Sequence, residues 1–284
     1  MRRVNLPADL ATLLGATDER VVPVDLPPGR SVVSEGGGGR PVMWMSDRPA
    51  EPGVWAQLCA ASEALGLWPL LLKALERDED FRPWGSGELD PERPSDPRSH
   101  DASKVLAGWW EECTAADDDD EDDGEDDPAA ARRLAVTAPY GQTWPGLAPS
   151  APGPVSAAQR AARFADELLA TDSSMRLGLV PAATGAEALR ACGWQGPLNH
   201  TDDTGEIAAV VVGWEHRFGA RVVGVGFDEL YLSVAAPPAT VEEALRVAAE
   251  HFAFCPDNIW QGAGTLAAYA QRLVGTPAWG FWWD

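Results

Sequence analysis

Basic side chains are scarce in this 284-residue sequence, and lysine is almost missing. The chain carries 22 Lys and Arg against 44 Asp and Glu, for a formal net charge of −22, and only two of the basic residues are Lys. It contains no basic stripe and no RNA-binding signature, and a net negative charge repels phosphate. Nucleic acids are therefore excluded as expected partners, whereas a basic protein partner is compatible with the charge.

Segments that direct a chain to or across a membrane are also missing. No run of about eighteen consecutive apolar residues occurs, so we expect no ordinary membrane-spanning helix. Residues 1–16 contain two Arg and only a short amphipathic run, without a signal-peptide core or a cleavage site. We therefore expect a cytoplasmic protein that does not bind a membrane.

Cysteine pairs and common catalytic motifs are absent as well. Cys59, Cys113, Cys192 and Cys255 lie far apart and form no CxxC pair, which argues against a disulfide framework or a zinc ribbon. The sequence has no GxSxG, HExxH or Walker motif. Its glycine-rich stretches are followed by no helix that would bind phosphate or a dinucleotide. We predict no metal and no cofactor.

An acidic run divides the chain. Ten of the eleven residues from Asp117 to Asp127 are acidic, and such a block repels itself and buries no apolar area. The run is typical of an extended spacer, with a docking site for a basic partner as the alternative. It predicts a linker over 114–155, between an N-terminal α+β region, 1–113, and a C-terminal domain, 156–284.

Hydrophobic patterns and turn residues predict the elements of both parts. In the N-terminal region we expect strands over 21–24, 31–34, 42–45 and 67–72, and helices over 8–14, 53–65 and 102–112. In the C-terminal domain we expect strands over 176–182 and 221–227, over 230–234 and from Ala278 onward, and helices over 156–169, 184–192 and 206–218, followed by helices that begin at Thr240 and Thr265. Thr240 with Glu243 forms a capping box, and Gly219 is placed to end the helix before it.

The order of the C-terminal elements is a strand, helices, two strands, helices and a strand. It predicts an α+β fold of the ferredoxin-like split βαββαβ type, in which each crossover contains two helices. We expect a four-stranded sheet with helices on one face. Right-handed crossovers would place the last strand beside the first strand, at an edge of the sheet.

The sequence ends on an aromatic strand. Alternation along a strand places Trp279, Phe281 and Trp283 on one face and Trp282 on the other. Three large rings favour the helix-covered core, so we interpret them as structural residues and Trp282 as an outward ring. Thirteen Trp occur in the chain, and most of them are expected in cores or at an interface.

Four stretches of the C-terminal domain carry a family resemblance. They are RLGLVPA from Arg176, GWEHRFGARVVGVG from Gly213, AAPPATVEEALRVAAEHFAFCPDNIWQG from Ala235, and the final FWWD. Together, at this spacing, they are similar to the bacterial family known as domain of unknown function 4253. The resemblance covers Leu177 to Asp284 and implies the core of the domain, without implying a reaction, cofactor or substrate.

Two groups of residues are candidates for catalysis. His251 and Cys255 are four residues apart on a predicted helix, and an imidazole beside a thiol activates a nucleophilic cysteine. Asp257 follows them, and the favoured role for its side chain is to cap the next turn, with catalysis as the alternative. Cys255 also lies on the apolar stripe of its helix, where a buried structural thiol is favoured.

Glu215 and His216 lie off the core stripe of their helix and face solvent or a partner in this interpretation. They form either a surface ion pair with Arg217 or Arg221, or an acid and base that need a second group. The polar loop 199–203 is favoured as a loop or helix cap over a cation site. A zinc site from Cys192, His200, His251 and Cys255 has no standard spacing.

Three functions remain open from the sequence. The first is a non-enzymatic protein-interaction or accessory module of the immunity type, in which an acidic, Trp-rich surface binds a basic partner. The second is a hydrolase or transferase that uses Cys255 and His251. The third is a small-ligand binder with an apolar pocket near Trp214, Trp260 and Trp282. The sequence indicates no oligomeric state.

Overall fold

A computed structural model describes residues 4–5, 10, 13, 21–22, 25–36, 38–75, 80–115, 128–150, 153 and 155–284. The predicted helix over 8–14 lies mostly outside the described residues, and the acidic run lies entirely outside them. No helix in the described part of the chain is long and apolar enough to cross a membrane.

The strands in the described residues are β1 (Val4–Asn5), β2 (Val21–Val22), β3 (Gly29–Val33), β4 (Pro41–Pro49), β5 (Trp68–Leu72), β6 (Arg176–Val180), β7 (Arg221–Val225), β8 (Glu229–Ser233) and β9 (Ala278–Trp282). The α-helices are α1 (Val54–Ala60), α2 (Ser62–Leu65), α3 (Ala102–Thr114), α4 (Pro128–Thr137), α5 (Ala157–Thr171), α6 (Gly185–Ala191), α7 (Thr204–Phe218), α8 (Val241–Phe254) and α9 (Leu266–Leu273). A 3-10 helix covers Pro97–Ser99, and a π-helix covers Asn258–Ala263.

Seven strands form one mixed sheet in the order β3, β4, β6, β5, β7, β8, β9, and β1 pairs with β2 separately. Neighbouring strands of the large sheet are antiparallel, except for the parallel pair β5 and β7. Strands from both sides of the acidic run therefore share this sheet. The predicted domain boundaries at residues 113/114 and 155/156 stay a prediction.

The predicted four-stranded, ferredoxin-like sheet was wrong because β5 lies between β6 and β7. All five residues of β5 are buried, so both of its faces and both of its edges are covered. The apolar run at 67–72, with its internal Pro69, predicted a buried or an edge strand that starts at the Pro, but it carries no information about partners more than a hundred residues away. Pro69 lacks an N–H group, and its carbonyl oxygen accepts a hydrogen bond of 2.9 Å from Trp55 Nε1.

The last strand lies at an edge of the sheet, as predicted, but its neighbour differs from the prediction. It pairs antiparallel with β8, which is itself paired antiparallel with β7, and not with β6. Trp279 and Phe281 of β9 and the following Trp283 are each 2 % exposed, whereas Trp282 is 37 % exposed. This is the alternation that the sequence predicts.

Helices cover both faces of the sheet, so the prediction of helices on one face was wrong. In β6, Leu177 and Leu179 pack with Leu58 of α1 and Leu65 of α2. Val180 of the same strand belongs to the larger core. Since alternate residues of a strand point to opposite faces, the two clusters lie on opposite sides of the sheet.

The long helices of the C-terminal part follow their predicted signals closely. In α7 the predicted stripe is buried, and Gly219 ends the helix in the left-handed region at φ 60. The capping box of Thr240 and Glu243 is present at the start of α8. However, Val241, the first residue of α8, is 45 % exposed. Helix α4 and the π-helix were not predicted.

Candidate functional site

His251 lies in the aromatic core, not at a surface. Its side chain on α8 is fully buried, and its ring centroid is 4.5 Å from that of Trp279 and 4.8 Å from that of Phe281. Nδ1 is 3.1 Å from the hydroxyl of Tyr269. Burial, with a smaller effect of the Arg217 charge, holds the pKa of His251 well below its usual value. The buried position therefore favours a neutral imidazole, which acts as a packing residue among the neighbouring rings.

Cys255 is oriented away from the catalytic arrangement that its spacing suggests. The thiol donates to the carbonyl oxygen of Trp282 at 2.9 Å, and burial raises its pKa to about 12. Asn258 Nδ2 donates to the carbonyl oxygen of Gly280 at 2.8 Å. Both carbonyl groups belong to the edge strand β9, so Cys255 and Asn258 satisfy backbone groups that an open edge would expose. The geometry therefore favours a structural role for Cys255.

The remaining catalytic candidates do not join this pair. Asp257 Oδ1 accepts a hydrogen bond of 2.9 Å from Gln261, and its side chain does not cap the π-helix, contrary to the prediction. His216 is exposed. The side chain of Glu215 was expected to face solvent or a partner, but it is only 6 % exposed and lies 3.6 Å from Arg221. Burial raises the pKa of Glu215 to about 7, against the opposing charge of Arg221.

Few of the Trp side chains are available to a partner. All thirteen lie among the described residues, and ten of them are buried. Trp214, a predicted binding residue, is fully buried and stacks on Phe281 at 5.3 Å. Trp260 is half-buried beside Arg132 and Arg133, and Trp282 is the one exposed indole. A Trp-rich surface is therefore not found, although most Trp lie in cores as expected.

The polar loop 199–203 caps a helix. Asp203 accepts a hydrogen bond of 2.8 Å from the N–H group of Gly205 at the start of α7. Among the residues that the structure describes, no group of three or more His, Cys, Asp or Glu side chains is arranged to hold a metal ion. The zinc set considered from the sequence is thus not assembled.

A buried ion pair that sequence reasoning missed joins three segments. Glu250 on α8 is fully buried and accepts two hydrogen bonds from Arg217, at 2.7 and 2.6 Å. It also accepts hydrogen bonds from Trp214 Nε1 at 2.7 Å and from the backbone N–H of Ala148 at 2.6 Å. Every described partner is a strong donor, so this carboxylate is held in place and is not free to react.

A cleft of about 440 Å³ lies at the carboxyl ends of β5, β7 and β9. These three carboxyl ends lie at the same end of the sheet because β5 is parallel to β7, and β8 is antiparallel to both β7 and β9. Ligands commonly bind beyond the carboxyl ends of such strands. We call this site the strand-end cleft; its polar and aromatic lining includes Glu88, Gln195, Asn199, Phe227, Asp228 and Asp284.

The strand-end cleft is negatively charged. Burial raises the pKa of the Asp228 carboxyl, and the charges of Glu229 and Asp284 add to this effect while Lys73 opposes it. Lys73 is itself paired with Glu229 at 2.6 Å. Glu88 accepts two hydrogen bonds of 2.5 Å from Arg82, which lower its pKa to about 2. Among the acidic residues that line the cleft, Asp228 and Asp284 are therefore the ones without a basic partner at salt-bridge distance.

The C-terminal part of this chain matches a known protein family. Residues 176–284 match the family described as Domain of unknown function (DUF4253). The family predicted from the motifs is thus confirmed, and the match begins at the first residue of β6. Neither the curated proteins nor the solved structures contain a match to the chain.

The strand-end cleft extends beyond the DUF4253 region. Gln195, Asn199, Phe227, Asp228 and Asp284 lie within residues 176–284, whereas Glu88 comes from the segment after β5. The sequence carried only a weak signal for the cleft in Asp228 and Glu229, the acidic pair between two of the predicted strands. Four separate segments form the cleft, so its existence depends on sheet order.

Proposed function

We propose that this protein is an interaction module that binds a positively charged segment of a partner protein in the strand-end cleft. The observation that carries the proposal is the pair of carboxylates, Asp228 and Asp284, at a concave site beyond the strand ends. Burial, followed by smaller effects of the charges of Glu229 and Asp284, keeps the pKa of Asp228 raised. A bound ammonium or guanidinium group would offset these negative charges and gain charge-assisted hydrogen bonds.

The exposed ring of Trp282 supports a protein as the occupant. Trp282 lies on β9 directly before Trp283 and Asp284, and its cross-strand neighbour is Glu229. A Cβ atom added at Gly280 would meet no atom within 4 Å, so the surface beside this strand is open. Trp and Arg are enriched among the residues that dominate binding at protein interfaces. An Arg-containing segment therefore suits both the ring and the carboxylates.

The overall charge supports an accessory role. A formal net charge of −22 attracts a basic partner over a long range and makes association fast and salt-sensitive. An immunity-type protein that neutralises a basic partner would use its surface in this way. The binding that we propose requires no chemistry at Cys255 or His251, whose buried positions do not favour a hydrolase or transferase site.

We expect a labelled hexa-arginine peptide to bind the full chain at low salt and to lose affinity as NaCl is raised. Replacing Asp228→Asn and Asp284→Asn together should weaken binding at least tenfold, since a hydrogen bond to a charged group contributes about 1.5–3 kcal/mol. Fluorescence anisotropy measures the dissociation constants. The matched control is Asp25→Asn with Glu63→Gln, which removes two charges from exposed positions outside the cleft. Equal weakening by both pairs of substitutions would contradict recognition in the cleft.

A small organic cation is the second candidate, because a cavity of about 440 Å³ falls within the usual range for small ligands, roughly 300–1,000 Å³. If this candidate is correct, millimolar agmatine should raise the melting temperature of the wild-type chain. The Asp228→Asn, Asp284→Asn variant should lose that increase. An unchanged melting temperature, with the hexa-arginine peptide still bound, would reject the small ligand and retain the protein partner.

A further inference from the structure

Ser95, His100 and Asp203 form a polar cluster that shares no residue with the strand-end cleft. The hydroxyl oxygen of Ser95 is 2.5 Å from His100 Nε2, and Asp203 Oδ2 is 3.6 Å from the same nitrogen. The side chains of His100 and Asp203 are 21 % and 26 % exposed. A hydroxyl, an imidazole and a carboxylate are thus in contact at a surface that solvent reaches.

Hydrogen bonds from neighbouring side chains hold the backbone of Ser95 in place. Asp203 Oδ1 accepts hydrogen bonds from the N–H groups of Ser95, at 2.9 Å, and Gly205, at 2.8 Å. Arg190 Nε donates to the carbonyl oxygen of Ser95 at 3.2 Å. A Cβ at Gly205 would lie 2.5 Å from Ser95 Oγ, so only glycine at this position lets the serine reach the first turn of α7.

We propose that Ser95 is a nucleophile that His100 activates for the hydrolysis of small carboxylic esters. Ser95 Oγ forms a bond to the ester carbonyl carbon while its proton passes to His100 Nε2. That proton then passes to the departing alcohol as the C–O bond breaks. Water attacks the acyl-serine by the same route, releasing the carboxylic acid and restoring the serine hydroxyl. No other reactant is needed.

The neighbouring charges favour this step. After proton transfer, Nε2–H⁺ faces the Asp203 carboxylate, so Asp203 stabilises the imidazolium by its charge. This differs from the serine-protease triad, in which the acid bonds the other ring nitrogen. The hydroxyl of Ser95 also lies at the N-terminal turn of the fifteen-residue helix α7, whose dipole favours developing negative charge. The side chains of His100 and Asp203 are only partly exposed, so the substrates that we propose are small esters.

The experiment is covalent labelling of the full chain with diisopropyl fluorophosphate. Ser95 Oγ would form a P–O bond, fluoride would leave, and the proton would pass to His100. We expect peptide mass spectrometry to locate the adduct on Ser95, and we expect His100→Ala to slow labelling about 100-fold or more, because general bases contribute 10²–10⁴-fold. The same His100→Ala change should lower p-nitrophenyl acetate hydrolysis in parallel.

Ser99→Ala is the matched control, since Ser99 lies in the same segment and its hydroxyl donates to the backbone oxygen of Asp96 at 2.6 Å. It should leave both labelling and ester hydrolysis unchanged. Circular dichroism verifies that each variant is folded. Labelling of other serines with Ser95 unmodified would overturn the proposal, as would a rate on Ser95 that does not depend on His100. Neither outcome bears on the strand-end cleft, whose test uses a different probe.

Discussion

Deletion of residues 281–284 is expected to unfold the C-terminal domain. It removes Phe281, which stacks on Trp214 at 5.3 Å and meets Phe254 at 4.8 Å. It also removes Trp283, whose indole N–H donates to the carbonyl oxygen of Phe254 at 3.1 Å. Truncating a buried aromatic side chain costs about 3–5 kcal/mol, and two such losses approach the whole stability of a typical domain, about 5–15 kcal/mol.

Thermal and urea unfolding followed by circular dichroism measure this effect. Phe281→Ala alone should lower the free energy of unfolding by about 3–5 kcal/mol. Trp282→Ala is the matched control on the same strand, because its ring is 37 % exposed and should contribute little to folding. A deletion variant with unchanged thermal stability would show that these four residues do not complete the core and instead serve binding.

The aromatic strand also shows what a sequence reveals about this fold. Alternation of large and small residues correctly separates Trp282 from its two buried neighbours, since a period of two depends on one strand alone. The buried stripe of α7 and the glycine that ends this helix could likewise be predicted, because each depends on residues that are close together in the sequence. By contrast, the insertion of β5 between β6 and β7 brings together residues separated by the acidic run. No local pattern contains that pairing, and the predicted sheet therefore lacked its central strand.

The candidate sites show the same limit. Helical spacing predicted His251 and Cys255 on one face of a helix. However, Cys255 is the C-cap that follows α8, and the direction of its thiol depends on the carbonyl oxygen of Trp282, 27 residues later. Ser95 and Asp203 are 108 residues apart. Chemistry that depends on such contacts is visible only after the strands and helices have been assembled.

Glu250→Ala is expected to destabilise the protein by about 3–5 kcal/mol, because removing one partner of a buried ion pair leaves the other charge uncompensated. Arg217 would keep only a 13 % exposed position and one hydrogen bond of 2.9 Å, to the carbonyl oxygen of Ala148. Trp214 Nε1 and the backbone N–H of Ala148 would also lose their acceptor. Urea unfolding measures the loss, and faster limited proteolysis near residue 148 should accompany it.

Glu242→Ala provides the control, since Glu242 is an exposed carboxylate on the same helix and its loss should cost less than about 1 kcal/mol. A double-mutant cycle with Arg217→Met separates the ion pair from the other hydrogen bonds. Because the two charges compensate each other, removing both should cost less than the sum of the single changes. If the losses of stability from the two single changes are additive, Glu250 acts through Trp214 and Ala148. The salt bridge to Arg217 then contributes nothing of its own to the junction between α7, α8 and the segment before α5.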